Sequence, residues 1–442
     1  MDRRRYDAPE LGTLGPQYKA VPVTAWGRSA AEFVAAAPGL AELPTPLLTL
    51  DAGALAGNVA TMAGWSRDAG LDLAPHGKTS MAPALWRQQL DAGALGVTVA
   101  TGWQLAVALA EGLPWVLMAY PLLDPVLIRS LAGSGPAALQ PAGAPPARVL
   151  SWVDGVGTVE AMARALPVPE PAHPLEVLVE LGAPGGRTGA RGIERALKVA
   201  EAVARTPGLR LVGVAGYEGA LAHDSGPQSL QVVRAYLEDL AGLHARLLEQ
   251  KLYDDGPGPL VVTAGGSAYF DLVAEVLAPL HDPDGTNGPP VRVVVRAGAY
   301  IAHDDGFYRA ITPMVRTTKG ELKAALHAWV RVISRPEPGL ALVDAGRRDL
   351  PFDEGLPEVQ AIRRNGTGDL EKLVGASVSA LNDQHAFVRL ESGAQSVAVG
   401  DVLRLGISHP CTAFDKWQLL PVIDDADAAQ PVLVDFVRTI FG

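Results

Sequence analysis

From residue 71 onward, short apolar runs alternate with stretches of helical spacing. Strand-like runs fall at Leu71–Leu73 and at residues 96–100, 115–120, 149–153, 175–181, 209–217, 260–264 and 291–296. Between them lie helix-like stretches such as 83–91, 104–111, 193–205, 230–252 and 269–278. Most of the strand runs are apolar throughout, as expected where helices cover one face and barrel packing the other. Eight is the number of strands that closes a βα barrel. Upstream, residues 44–51 read as a strand leading into a helix over 55–69, whereas residues 1–44 give weak signals. After about Thr318 the helical spacing stops, and short β-like runs take over at 325–333, 340–343, 373–378, 387–390, 402–405 and 418–422. The pattern therefore predicts an α/β chain: a (β/α)8 TIM-like barrel over 45–317 and an all-β domain over 318–442. Residues 1–44 are expected to pack on the C-terminal domain.

Length and charge narrow the chemistry. A chain of 442 residues fits about two domains, and a net charge of −11 argues against nucleic acid or an anionic membrane as partner. No apolar run reaches the ~18 residues of a membrane helix, and the basic start Arg3-Arg4-Arg5 has no apolar segment after it, so neither a membrane span nor a secretory signal is expected. The three arginines read as a solvated tail. One cysteine, Cys411, rules out an internal disulfide and fits a reducing cytoplasm.

In a barrel, the residues just after each strand share one rim, where such folds do chemistry. Leu71–Met81 is the most telling stretch. Pro75 must end the strand, Gly77 permits a sharp turn, and His76 and Lys78 are left at the strand's carboxyl end. On position alone, Lys78 is as readily a solvated loop lysine. The other strand ends bring Tyr120, the loop Gly185–Gly189 with Arg187, Tyr217-Glu218-Gly219, Gly265-Gly266-Ser267 and Arg296–Tyr300. Two successive glycines let amides converge on an anion, and in barrels phosphate binds after strands seven and eight, which is where Gly265, Gly266 and Ser267 stand. By itself such a turn is more often a plain tight turn, and its rank in the strand order is what favours phosphate. A phosphate cradle facing a rim lysine points to pyridoxal phosphate, with Lys78 condensed with the aldehyde and Arg187 placed to meet the ring's phenolate oxygen. Alone, Arg187 also reads as a surface arginine in a glycine loop. Far along the chain, His409-Pro410-Cys411 offers an imidazole and a thiolate two residues apart, a pair that suits zinc with open positions for substrate. An isolated pair of this kind is also compatible with a purely structural role. Asn382-Asp383-Gln384-His385 stands as a second polar cluster in the same domain.

Taken as a set, these residues resemble a known family. Pro75-His76-Gly77-Lys78-Thr79 is similar to the P-H-x-K-T signature of the D-serine dehydratase and D-threonine aldolase family, whose members are fold-type III pyridoxal enzymes with an alanine-racemase-like barrel and a C-terminal β domain. Arg187-Thr188-Gly189, Tyr217-Glu218-Gly219, Gly265-Gly266-Ser267 and Arg296–Tyr300 follow in the family's order, and Asn382–His385 and Ile407–Cys411 resemble its C-terminal metal region. The resemblance runs from about residue 45 to 425. It implies that Lys78 binds the cofactor and later acts as base at Cα. It also implies that Arg187 meets the ring oxygen, that Tyr217 lines the ring, and that Gly265, Gly266, Ser267 and Tyr300 hold the phosphate. His409 and Cys411 would bind zinc. Dehydratases of the family show H-x-C where aldolases tend to show H-x-D, so Cys411 favours β-elimination of water from D-serine or a related D-3-hydroxy amino acid. Retro-aldol cleavage of D-threonine-like substrates is the alternative, and a non-catalytic pyridoxal phosphate carrier a third reading. Ala74, Ser80, Met81 and Ala220 depart from the family pattern at positions that bear on substrate size and carboxylate recognition. Members are usually homodimers with sites near the interface, where Asp353 or His385 could act across it.

Overall fold

A computed structural model describes residues 6–167, 171–392 and 396–441; the basic start Arg3–Arg5 lies outside them. The first strand is β1 (Leu47–Asp51). The barrel strands follow: β2 (Asp72–Leu73), β3 (Val97–Val99), β4 (Trp115–Pro121), β5 (Arg148–Val153) and β6 (Leu175–Gly182). A two-residue β7 (Ala190–Arg191) comes next, then β8 (Leu209–Gly216), β9 (Leu260–Ala264) and β10 (Val291–Val295). Among the described residues, eight of these form one parallel sheet in the order β2-β10-β9-β8-β6-β5-β4-β3, with β7 paired to β6. The sheet's two ends meet less regularly. A parallel bridge joins His76 to Thr98, and the Leu95 and Thr98 amides donate to the carbonyls of Leu73 and Pro75, both at 2.8 Å. A short β2 that stops at Pro75 is thus completed by its own outgoing loop, which brings the lysine turn onto the barrel mouth. The interior is filled from successive strands by Trp115, Leu117, Leu150, Trp152, Leu178, Val212, Val261 and Val294.

Helices return between the strands where the spacing predicts them. The observed spans are Ala52–Asp68, Pro83–Asp91, Gly102–Ala110, Ile193–Ala204, Pro227–Glu249 and Phe270–Leu277. Two more, Pro125–Ser134 and Val156–Ala165, complete the alternation after β4 and β5. Among the described residues, no helix is long and apolar enough to cross a membrane.

The second domain holds β11 (Leu326–Glu337), β12 (Leu340–Val343), β13 (Glu358–Arg363), β14 (Leu370–Lys372), β15 (Ala376–Leu381), β16 (Ala386–Leu390), β17 (Val402–Gly406), β18 (Leu419–Ile423) and β19 (Leu433–Arg438). One boundary differs from expectation. β1 does not open the barrel; it pairs antiparallel with β11 and parallel with β18. The run Leu47–Asp51 is buried at every position, and such a run fits the centre of either sheet equally well. The N-terminal segment packs in the same core, with Leu14, Val21, Phe33 and Leu40 beside Trp329, Trp417 and Phe436.

Asp51 joins the two halves. Its Oδ1 accepts from the Ala54 amide (2.7 Å), capping the helix Ala52–Asp68, and its Oδ2 accepts from the Ala426 amide (2.7 Å). Asp51→Ala removes a cap and leaves a buried amide without its partner, so stability should fall by about 1–3 kcal/mol. The measurement is the urea midpoint of the variant against the parent; an unchanged midpoint would show that the junction does not depend on this side chain.

Candidate active site

The lysine turn is fixed from three sides. Thr98 Oγ1 donates to the Ala74 carbonyl (2.7 Å), and the His76 amide donates to the Arg296 carbonyl (3.1 Å). Trp86 Nε1 donates to the Gly77 carbonyl (3.2 Å), and a Cβ on Gly77 would lie 2.8 Å from that indole nitrogen, so only glycine lets the turn sit on Trp86. Gly298 approaches the turn in the same way: a Cβ there would meet the His76 carbonyl oxygen at 2.5 Å. Lys78 then stands in a single 3-10 turn, Gly77–Thr79, with its side chain reaching solvent at the barrel mouth. Burial lowers its pKa, and Arg187 lowers it further, against the opposing charge of Cys411. A larger share of neutral amine is what condensation with an aldehyde requires.

The rim residues gather around that amine. The Arg187 guanidinium lies over the Tyr217 ring, 4.5 Å from its centroid. Tyr217 is held by its amide, which donates to Tyr236 Oη (3.0 Å), while Tyr236 donates to the Leu181 carbonyl (2.6 Å). Burial raises the Tyr217 pKa, with Glu218 adding to it, so the phenol stays protonated. Ser267 Oγ accepts from the Ala299 amide (3.3 Å), a long bond that joins the turn after β9 to the turn after β10. The Gly265 and Gly266 amides both donate to the carboxylate of Glu218. Tyr300 follows on the rim, but its side chain is buried in the barrel's core, with a hydrogen bond to Gln89. Arg296 spans the floor: one guanidinium nitrogen donates to Thr263 Oγ1 (2.7 Å) and another to the Gly216 carbonyl (2.5 Å). Tyr120, at the end of β4, is more than half exposed.

Several polar atoms here are buried without a partner: His76 Nδ1, Trp152 Nε1 and Glu180 Oε2. Native interiors rarely leave such atoms unpaired, and each is an opening for a bound group. Burial, aided by Lys78, Arg296 and Arg187, holds the His76 pKa well below its ordinary value, so the imidazole is neutral. Burial pushes the Glu180 carboxyl up to about 7, against a hydrogen bond from Thr188. A flat ring with polar edges, an aldehyde and a phosphate fits this set: an amine for the aldehyde, unpaired atoms for the ring, and a Ser267–Ala299 seam for the anion.

His409 and Cys411 come up to the lysine turn from the second domain. The short helix Cys411–Phe414 packs on the turn Gly77–Thr79, and Cys411 Sγ donates to Thr79 Oγ1 (3.4 Å), the residue next to Lys78. His409 and Cys411 are hydrogen-bonded to each other, so the two donors converge. Burial would lower the His409 pKa, but Cys411 and Asp353 outweigh it and bring it up to about 9. Asp353 is a partner within the chain that the sequence pattern does not indicate. Its Oδ2 pairs with His409 Nδ1 (2.6 Å) and its Oδ1 accepts from Thr412 Oγ1 (2.6 Å), which leaves Nε2 as the imidazole's ligand nitrogen. Among the described residues, no group of three or more His, Cys, Asp or Glu side chains is arranged to hold an ion. Asp304 and Tyr308 likewise carry no signal in the sequence. Asp304 is buried with Oδ2 unpaired, and the Tyr308 ring lies 6.4 Å from the His409 ring. Asn382–His385 does not join the pair: it is the exposed turn between β15 and β16, and Gln384 Nε2 donates to Asp349 Oδ2 (3.0 Å) in the loop that carries Asp353.

The chain is similar to proteins already characterised. Residues 325–423 match the family model described as "Putative serine dehydratase domain". A D-threonine aldolase from Arthrobacter sp. is 28% identical over 396 residues, covering 88% of this chain and 92% of that one. A D-threo-3-hydroxyaspartate dehydratase from Delftia sp. strain HT23 is 25% identical over 402 residues, covering 86% and 95%. A cysteine-to-alanine variant of the D-threo-3-hydroxyaspartate dehydratase, solved in a metal-free form, superposes with a TM-score of 0.66 at 22% identity, covering 92% of this chain and 100% of that one. The crystal structure of D-threonine aldolase from Filomicrobium marinum superposes with a TM-score of 0.71 at 23% identity, covering 90% and 97%. With a parallel barrel, a second β domain and relatives along most of its length, the chain shares the alanine-racemase-like fold and is similar to the D-serine dehydratase and D-threonine aldolase family of pyridoxal phosphate enzymes.

Proposed function

We propose that the protein is a pyridoxal phosphate- and metal-dependent lyase that removes water from D-serine or a related D-3-hydroxy amino acid, giving a keto acid and ammonia. The observation that carries this reading is the meeting of Lys78 with His409 and Cys411. An amine of lowered pKa and a pair of borderline-soft donors meet at one turn from separate domains. Pyridoxal phosphate, when bound, supplies an electron sink for negative charge at the substrate's Cα. A divalent ion, in this reading zinc, supplies a Lewis acid for the oxygen that leaves Cβ.

The chain's own groups do the rest. Lys78 Nζ takes the Cα proton, and the bond from Cys411 Sγ to Thr79, the next residue along, supports an ion site close to that base. His409 and Cys411 hold the ion, and Asp353 fixes the imidazole's orientation. Arg187 and Tyr217 would line the ring, His76 stays neutral, and Ser267 with the Ala299 amide would offer donors to the phosphate. Within this reading the protein acts in the cytoplasm, as a homodimer, on a small-molecule substrate.

Retro-aldol cleavage to glycine and an aldehyde is the second reading. The similarity to the Arthrobacter aldolase over most of both chains favours it, and it uses the same amine and ion. Products separate the two. Purified protein incubated with D-serine and with D-threonine, each with and without chelator, should release keto acid and ammonia only when the metal is retained. Glycine and an aldehyde instead would establish the aldolase. Bound cofactor with no turnover of either substrate would make the protein a carrier.

A further inference from the structure

Glu218 is wholly buried, and it holds the two amides that a phosphate cradle after β9 would use. Its Oε2 accepts from the Gly265 amide (3.0 Å) and its Oε1 from the Gly266 amide (2.6 Å). A carboxylate spanning two successive amides saturates both, so an anion reaches them only by driving the side chain out. Three features oppose that displacement. The charge of Glu218 is the strongest influence that favours the charged form of the buried Arg296 guanidinium. Arg296 cannot follow, because Thr263 and Gly216 anchor it. The turn itself is committed: Gly265 has φ +101°, and a Cβ on Gly266 would lie 3.0 Å from the Tyr217 ring.

We infer that Glu218 is a permanent positioning residue of the cofactor site, not a stand-in that phosphate replaces. Its carboxylate locks the Gly265–Gly266 turn from beneath. That sets Tyr217 against the turn and presents Ser267 to the strand-ten turn, where Ser267 Oγ meets the Ala299 amide at 3.3 Å. The anion is therefore received on the Ser267–Ala299 side, and the glycine amides serve as the turn's fastening. The inference rests on the reading that pyridoxal phosphate binds at Lys78, and its consequence is specific. Loss of the carboxylate should damage recognition of the phosphate and spare recognition of the ring and aldehyde.

The test compares pyridoxal phosphate with pyridoxal, which carries the same ring and aldehyde and no phosphate. Both are titrated by visible absorbance into the parent protein and into Glu218→Gln. Glutamine can accept from one amide, but its NH2 faces the other N–H, so the turn loosens. The expected result is a dissociation constant for pyridoxal phosphate raised by about tenfold or more, with that for pyridoxal changed less than about twofold. The phosphorus resonance of the bound cofactor should move or broaden in parallel. Glu218→Asp, one methylene short of reaching both amides, carries the same expectation if the glutamine variant does not accumulate. Equal or tighter binding of pyridoxal phosphate by the variants would show that the carboxylate only fills a vacant cradle, and would overturn the inference. So would equal losses for both ligands, which mark a general structural role. Failure of the parent protein to form a borohydride-fixed adduct on Lys78 would instead remove the underlying reading, and this inference with it.

Discussion

Replacing Lys78 by alanine should abolish the borohydride-fixed pyridoxyl adduct and lower turnover by at least about three orders of magnitude. The expectation follows from two properties of the site. The amine is the lysine that the barrel's first turn holds at the mouth, between Arg187 and Cys411, and burial makes it easier to deprotonate than an ordinary lysine. It is also cheap to remove, because the turn is held by backbone bonds and by Trp86, not by the Lys78 side chain. The variant should therefore melt close to the parent, which separates lost chemistry from lost fold. Lys78→Arg keeps a cation and offers no condensing amine, so it should fail equally. Loading should follow the same logic: condensation needs neutral Nζ, so its rate rises with pH, and the lowered pKa places the midpoint of that rise below the ordinary lysine range. An adduct found on a different peptide, or turnover surviving in Lys78→Ala, would sink the assignment of this lysine.

Much of this arrangement is legible in the chain pattern alone, and the parts that are not share a cause. The eight strands after residue 71 are legible because each is a short apolar run between helical stretches. Lys78, Arg187, Tyr217 and Ser267 are legible because each follows one of those runs, and strand ends share a rim. β1 defeats the same reasoning: Leu47–Asp51 is apolar enough for the centre of either sheet, and only pairing with β11 and β18 decides between them. Asp353 sits in a loop with no periodicity, and its meeting with His409 spans 56 residues. Glu218 and Gly265 meet across 47 residues, because β8 and β9 are neighbours in the sheet. Tyr300 shows a further limit. Its place after the last strand is readable, but whether a rim residue offers its side chain to the cavity or to the core depends on a turn geometry that the chain pattern does not encode.

Removing the metal should separate two functions that Lys78 and the His409–Cys411 pair divide between them. Dialysis against a strong chelator, or Cys411→Ala, should lower turnover about a thousandfold while the visible band of the bound cofactor and the Lys78 adduct persist. Hydroxide is a poor leaving group without a Lewis acid, whereas nothing in the lysine turn depends on the ion for its shape. Cys411 meets that turn through the packing of its short helix and the bond from Sγ to Thr79 Oγ1 (3.4 Å). Asp353→Asn tests the same site more gently. Asparagine still reaches His409 Nδ1 but no longer carries the charge that steadies the imidazole, so metal affinity should fall by about 10–100-fold, and turnover should recover when the metal concentration is raised. Saturating metal should not rescue Cys411→Ala to the same degree, because the proposed site then loses one of its two protein ligands. Full activity in protein shown by elemental analysis to be metal-free would refute the ion's role and leave Lys78 as the centre of a metal-independent elimination.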